Sequence, residues 1–147
     1  SAEMQAKAYR YASREMVGWS EEANKGVGGL YSGNVGRLLN ARFGMSWGLA
    51  GVMRVQRGVL GNSDNSILDD LGRAMGRESR WYQLLCRAYG LAGVDEPAPT
   101  LREEVSAGLA LYCETARLLD SIPLPEDRPL IEKTVERIEA ALNSTKA

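Results

Sequence analysis

Apolar residues recur at steps of three and four along most of this chain, and no stretch alternates them at steps of two. A residue advances ~100° about an α-helix and ~180° along a strand, so the spacing predicts helices and no sheet. Met4, Ala8, Ala12, Met16, Trp19 and Ala23 form one stripe, which predicts a helix over 2–24 closed at Lys25-Gly26. GVGGLYSG at 26–33 then reads as a flexible connector. It lacks Gly-Lys-Ser/Thr, and a tyrosine stands at 31 where a dinucleotide fingerprint needs glycine, so it is not a phosphate loop.

Leu38, Met45, Leu49, Val52, Met53 and Leu60 predict a long central helix over 34–60, packed on both faces. Gly44, Gly48 and Gly51 gather with Asn40 and Trp47 on its other side. A glycine inside a helix costs roughly 1 kcal/mol, so three together point to a close neighbour, either a helix or a ligand. Turn residues at 61–65 precede a short helix with Ile67, Leu68, Leu71 and Met75, which Gly76 ends. A fourth helix is expected over 77–91, and GVDEPAP at 93–99 reads as a linker. Thr100 and Glu103 have the spacing of a capping box, opening a helix that runs to about residue 120. IPLP at 122–125 breaks it, and a last helix begins near 127 with Pro129 tolerated in its first turn. The tail from 143 is expected to fray. The expected fold is all-α: an up-and-down bundle of five to six helices, in one domain spanning 1–147.

Composition removes several chemistries. The chain has no histidine, which excludes Ser-His-Asp and Cys-His catalysis and histidine-ligated zinc. A formal net charge of −1 argues against a nucleic-acid binder, because counterion release needs a basic face. Cys86 and Cys113 are too few for a disulfide scaffold and read as small buried apolar residues. The adjacent pairs Asp69-Asp70 and Glu103-Glu104 point ~100° apart on a helix and read as solvated charges at helix starts, so no metal and no cofactor are expected. No apolar run reaches the ~18 residues of a membrane span. Lys7, Arg10, Arg14 and Glu15 make the N-terminus unlike a signal peptide, so the cytoplasm is the expected compartment. The chain opens on Ser1-Ala2, as an excised domain would.

The residues that break the helical pattern are the candidates for function. On the wheel, Arg42 falls within ~20° of Leu49 in the apolar stripe, and Gln56 lies as close on the other side. Glu15 falls among Met4, Ala8 and Tyr11. A buried charge without a partner is costly, so each needs a counter-ion, a water or a ligand. Glu15 with Arg42 is the simplest ion pair. The wheel leaves open a structural pair, a snorkelling arginine and a polar spot in an interhelical pocket. Trp47, beside the glycines, either floors such a pocket by stacking or fills space under the last helices. Glu15, Arg42, Trp47 and Gln56 are therefore the candidate substrate-binding set, with no catalytic residue among them.

The run GRLLNARFGMSWGLAGVMRVQRGVL at 36–60, with NSDN at 62–65, resembles the helical C-terminal domain of bacterial nucleotidyltransferases of the antibiotic-modifying type. LALYCETARLL at 109–119 and DRPLI at 127–131 are similar to the closing helices of such domains. In that family a separate α/β domain carries Gly-Ser and a metal-binding Asp-x-Asp, and neither motif matches here. The resemblance implies an accessory, substrate-binding helical domain that works beside a nucleotidyltransferase catalytic domain. The alternative is a helical protein–protein interaction module, with a homodimer among its forms. The first expects a concave pocket at Glu15, Arg42, Trp47 or Gln56, and the second an exposed apolar patch.

Overall fold

The computed structural model describes residues 1–61 and 63–144, and every regular element among them is helical. The order is α1 (Ala2–Ser32), α2 (Val35–Phe43), a π-helical turn (Gly44–Gly48), α3 (Leu49–Gln56), a 3₁₀ turn (Asp64–Ser66), α4 (Ile67–Met75), α5 (Arg80–Ala88), α6 (Leu101–Leu118) and α7 (Arg128–Ser144). The segment α2–π–α3 is one continuous helix, so the chain forms an all-α bundle of six helical units, as its periodicity predicts. Asn62, in the expected turn, and 145–147, in the expected fraying tail, lie outside the described residues, and 143–144 are still helical.

The glycine connector is not a loop. α1 runs through it to Ser32, and the break is only Gly33 and Asn34. Gly33 takes φ 74° and donates its N–H to the Gly29 carbonyl, while the Asn34 side chain accepts from the Arg37 N–H. The glycines within the helix serve close packing instead. A Cβ on Gly26 would lie 2.9 Å from the Ala41 Cβ, and one on Gly29 would lie 3.0 Å from the Leu38 side chain. The expected flexible connector is helical instead because α2 presses on this stretch of α1. At the other end of α1 the expected stripe is not buried until Ala12, and Met4 is exposed.

Cross-helix bonds fix the directions. Tyr112 donates its hydroxyl to the Met16 carbonyl at 2.7 Å, and Arg102 donates to the Leu30 carbonyl at 2.7 Å, so α6 runs antiparallel to α1. Trp81 donates its indole N–H to Thr115 Oγ1 at 2.9 Å, tying buried α5 to α6. Ser13 donates to the buried Asp127 at 2.7 Å and accepts from the Leu124 N–H at 2.9 Å, which clamps the IPLP turn onto α1. α6 packs on α1, α2, α3, α5 and α7, so it shares the central position expected of the 34–60 helix. That helix ends at Gln56, and Leu60 is exposed. Thr100 and Glu103 form the expected capping box, Pro129 sits in the first turn of α7, and α5 is shorter than the expected 77–91.

At three crossings a side chain has no room. A Cβ on Gly108 would lie 2.6 Å from the Met45 Cβ, one on Gly44 2.8 Å from the Glu22 Cβ, and one on Gly48 would overlap the Trp19 ring. Gly51, half-exposed on the same helix, has nothing within 4 Å. Gly108→Ala and Gly48→Ala are expected to destabilise by about 1–3 kcal/mol through overpacking. Gly51→Ala should stabilise by about 0.5–1 kcal/mol, because it removes only backbone entropy. Urea unfolding of the three variants checks this, and a stabilised Gly108→Ala contradicts the packing described.

Candidate functional site

The four candidate residues do not form one pocket. Arg42 does not meet Glu15; its guanidinium lies 3.6 Å from Glu104, a carboxylate only 9% exposed at the start of α6. The wheel failed because the π turn between Arg42 and Leu49 inserts an extra residue, which rotates everything beyond it by roughly 100°. Ser46 sits in that turn and donates its hydroxyl to the Arg42 carbonyl at 2.6 Å. Glu104 is thus not a solvated helix-start charge. Its partner at the first turn, Glu103, is the exposed one: the Thr100 N–H and hydroxyl hold its carboxyl below the usual range, with help from Arg87. Glu104 also lies against Gly90, where a Cβ would sit 2.8 Å from Oε2 and where φ is +90°.

Glu15 is half-buried beside Tyr11. Burial first, then the Glu15 charge and its hydrogen bond, raise the Tyr11 hydroxyl above its ordinary value, and Arg54 opposes them. Gln56 is half-buried, and its Oε1 has no hydrogen-bond partner among the described residues. Trp47 points away from the glycines, whose cradle holds Trp19 instead, and meets Tyr89 edge-on at 5.4 Å and 75°. The Tyr89 hydroxyl is buried with no partner among the described residues, and its pKa is pushed up to about 12, chiefly by burial. Arg42, through Glu104, and Trp47 therefore meet at the end of α5, at Gly90 and Tyr89. Glu15 lies beside Tyr11 on α1 instead.

An open cleft of about 540 Å³ lies instead between α6 and α7. Its apolar wall includes Ala110, Cys113, Ala116, Ile131, Val135 and Leu142. Three arginines and five carboxylates stand around it. Glu114, buried, accepts from Arg117 Nε and Nη2 and has Arg80 at 4.0 Å. Arg128 pairs with Asp120 at 3.1 Å and Glu132 at 3.8 Å. Glu136 and Glu139 line the cleft with no ion pair among the described residues. The Cys113 thiol is half-buried and reaches the Val135 carbonyl at 4.0 Å. Burial, and then the Glu139 charge, push its pKa up to about 12. Cys113 is therefore a protonated wall group and no nucleophile at neutral pH. Periodicity places Cys113 on a buried apolar stripe and leaves Glu136 and Glu139 unmarked, because only the pairing of α6 with α7 brings them to one cleft.

One further feature is a row of exposed apolar residues on the continuous helix. Val35, Leu39, Phe43, Trp47 and Val55 are 58%, 43%, 60%, 46% and 37% exposed, at steps of four with Gly51 in the gap. Among the described residues no three His, Cys, Asp or Glu groups come together to hold a metal. Comparison with protein-family models, with curated proteins and with solved structures gives no match.

Two measurements follow from this geometry. A double-mutant cycle on Arg42 and Glu104 should give a coupling of about 0.5–1.5 kcal/mol, and one on Arg42 and Glu15 a coupling near zero. The reverse ranking contradicts the pairing. Separately, a thiol raised from 9.0 to about 12 in the fold keeps its stabilising proton below the unfolded value and loses it as pH climbs towards 12. Maleimide labelling at pH 8, followed by peptide mass spectrometry, should modify Cys113 at least ~100-fold more slowly in the folded chain than in urea. Equal rates contradict its burial.

Proposed function

We propose that this chain is an accessory helical binding domain, without catalysis of its own, that holds a polar small molecule in the α6–α7 cleft beside a nucleotidyltransferase-like partner. The cleft carries this reading. Its volume falls in the ~300–1,000 Å³ range of small-molecule sites, with an apolar wall rimmed by charged side chains. Glu136 and Glu139 are the lining charges without an ion pair among the described residues, so the favoured ligand presents an apolar ring face and at least one ammonium group. The site proposed for ligand thus moves from Glu15, Arg42, Trp47 and Gln56 to the opposite pair of helices. The resemblance at 109–119 and 127–131 supports it, since those runs supply both walls. The cytoplasm is kept as the compartment; among the described helices none is long and apolar enough to cross a membrane.

Calorimetry against nucleotides, aminoglycosides and uncharged polar compounds tests the reading. A cationic member should bind, and Glu136→Gln with Glu139→Gln should weaken it about 10-fold or more. Arg42→Ala should leave it within about 2-fold, because Arg42 lies outside the cleft. Binding that ignores the two glutamates but falls with Arg42→Ala overturns it. A second reading, a helical interaction module, is favoured by one specific observation: the exposed apolar row along α2–π–α3.

A further inference from the structure

The two apolar walls of the α6–α7 cleft are built differently. On α6 the lining is Ala110, Cys113 and Ala116, all small and half-buried, at steps of three. Side chains three apart lie one above the next on a helix, so this wall is a shallow strip. It extends for about 9 Å at ~1.5 Å per residue, room for two fused rings. On α7 the lining is Ile131, Val135 and Leu142, which are branched and stand taller. Elsewhere in the bundle a small residue lets a second helix close in, as Gly108 does for Met45. Here α7 does not close on the strip, and about 540 Å³ stays open. The Cys113 thiol reaches across to the Val135 carbonyl at 4.0 Å and marks the floor.

We propose that Ala110, Cys113 and Ala116 set the specificity of this cleft and select a planar aromatic ring that carries an ammonium group, an arylmethylammonium ion in the simplest case. This rests on the reading of the cleft as a site for a cationic ligand and names the ligand class. A flat ring keeps its whole face against a shallow strip. A puckered saturated ring of the same size stands off it, and a gap of ~0.5–1 Å already forfeits about a quarter to a half of the contact energy. Arg117 favours the same choice. Glu114 holds its guanidinium through Nε and Nη2, and the group lines the cleft. A guanidinium held in this way stacks on aromatic faces and has no equivalent interaction with a saturated ring. A larger side chain on the strip would take the ring's place.

The full chain is titrated by calorimetry with 2-naphthylmethylammonium and with its saturated decalin counterpart, which share one ammonium group and differ in flatness. Circular dichroism confirms that each variant keeps its fold. The naphthyl ion should bind at least about 5-fold tighter than the decalin ion. Cys113→Leu should weaken the naphthyl ion about 10-fold or more by filling the floor, and Cys113→Ala should leave it within about 3-fold, because the thiol itself is not needed. Should Cys113→Leu fail to fold, Ala110→Leu reads the same effect at the other end of the strip. Equal affinity for the two ions overturns the selection of a planar ring. Leucine variants that bind the naphthyl ion as well as the unaltered chain overturn the role of the strip. In both cases the cleft reading stands as long as Glu136→Gln with Glu139→Gln weakens binding. Binding of neither ion overturns the inference and the cleft reading together.

Discussion

The bundle rests on the close approach of the continuous helix α2–π–α3 to α1 and α6. Five glycines make that approach geometrically allowed. Gly26 and Gly29 admit α2 onto α1, Gly44 and Gly48 admit Trp19 and Glu22, and Gly108 admits Met45. Each contact removes a Cβ from a place where another atom already stands. The favourable terms are dispersion and apolar burial at short range, and the opposing term is the extra backbone entropy of glycine. Everything downstream inherits this geometry. The tight seam sets the azimuth of the helix, which turns Arg42 to Glu104 and leaves the row from Val35 to Val55 facing out.

Much of the fold is legible in the sequence, because helical period and capping chemistry are local. Thr100 and Glu103 find each other within one turn, and Pro129 needs only its own fixed φ. The failures have physical causes. Glycine has two uses, conformational freedom and small size, and GVGGLYSG looks the same for both; only the presence of Ala41, Leu38 and Leu109 against it selects the second. The π turn leaves no clear mark beyond Gly44, Ser46 and Gly48, yet it shifts the phase of all that follows. The helical pattern shows that Arg42 needs a partner, but which carboxylate it meets depends on how two distant helices pack. Glu15 and Glu104 are indistinguishable on that score until the bundle closes.

The two candidate surfaces differ in how they treat charge. In the α6–α7 cleft the arginines are spoken for, by Glu114, Asp120 and Glu132, and the surplus is negative. Along α2–π–α3 acids arrive from other helices: Glu104 of α6 meets Arg42, and Glu22 of α1 lies against Gly44.

The pairing of the first helix with the last has a consequence of its own. Ser13 meets Asp127, and Tyr31 meets Ser144 at 3.1 Å, so α1 and α7 run side by side in the same direction. The start of α1 and the end of α7 therefore lie at opposite poles of the bundle. α1 alone is 31 residues, about 46 Å at ~1.5 Å per residue. A circular permutant that joins the two ends needs a bridge crossing most of that length, at least ~10 residues even when fully extended. Fusions placed at the two ends would likewise be held apart by the body of the bundle rather than brought together.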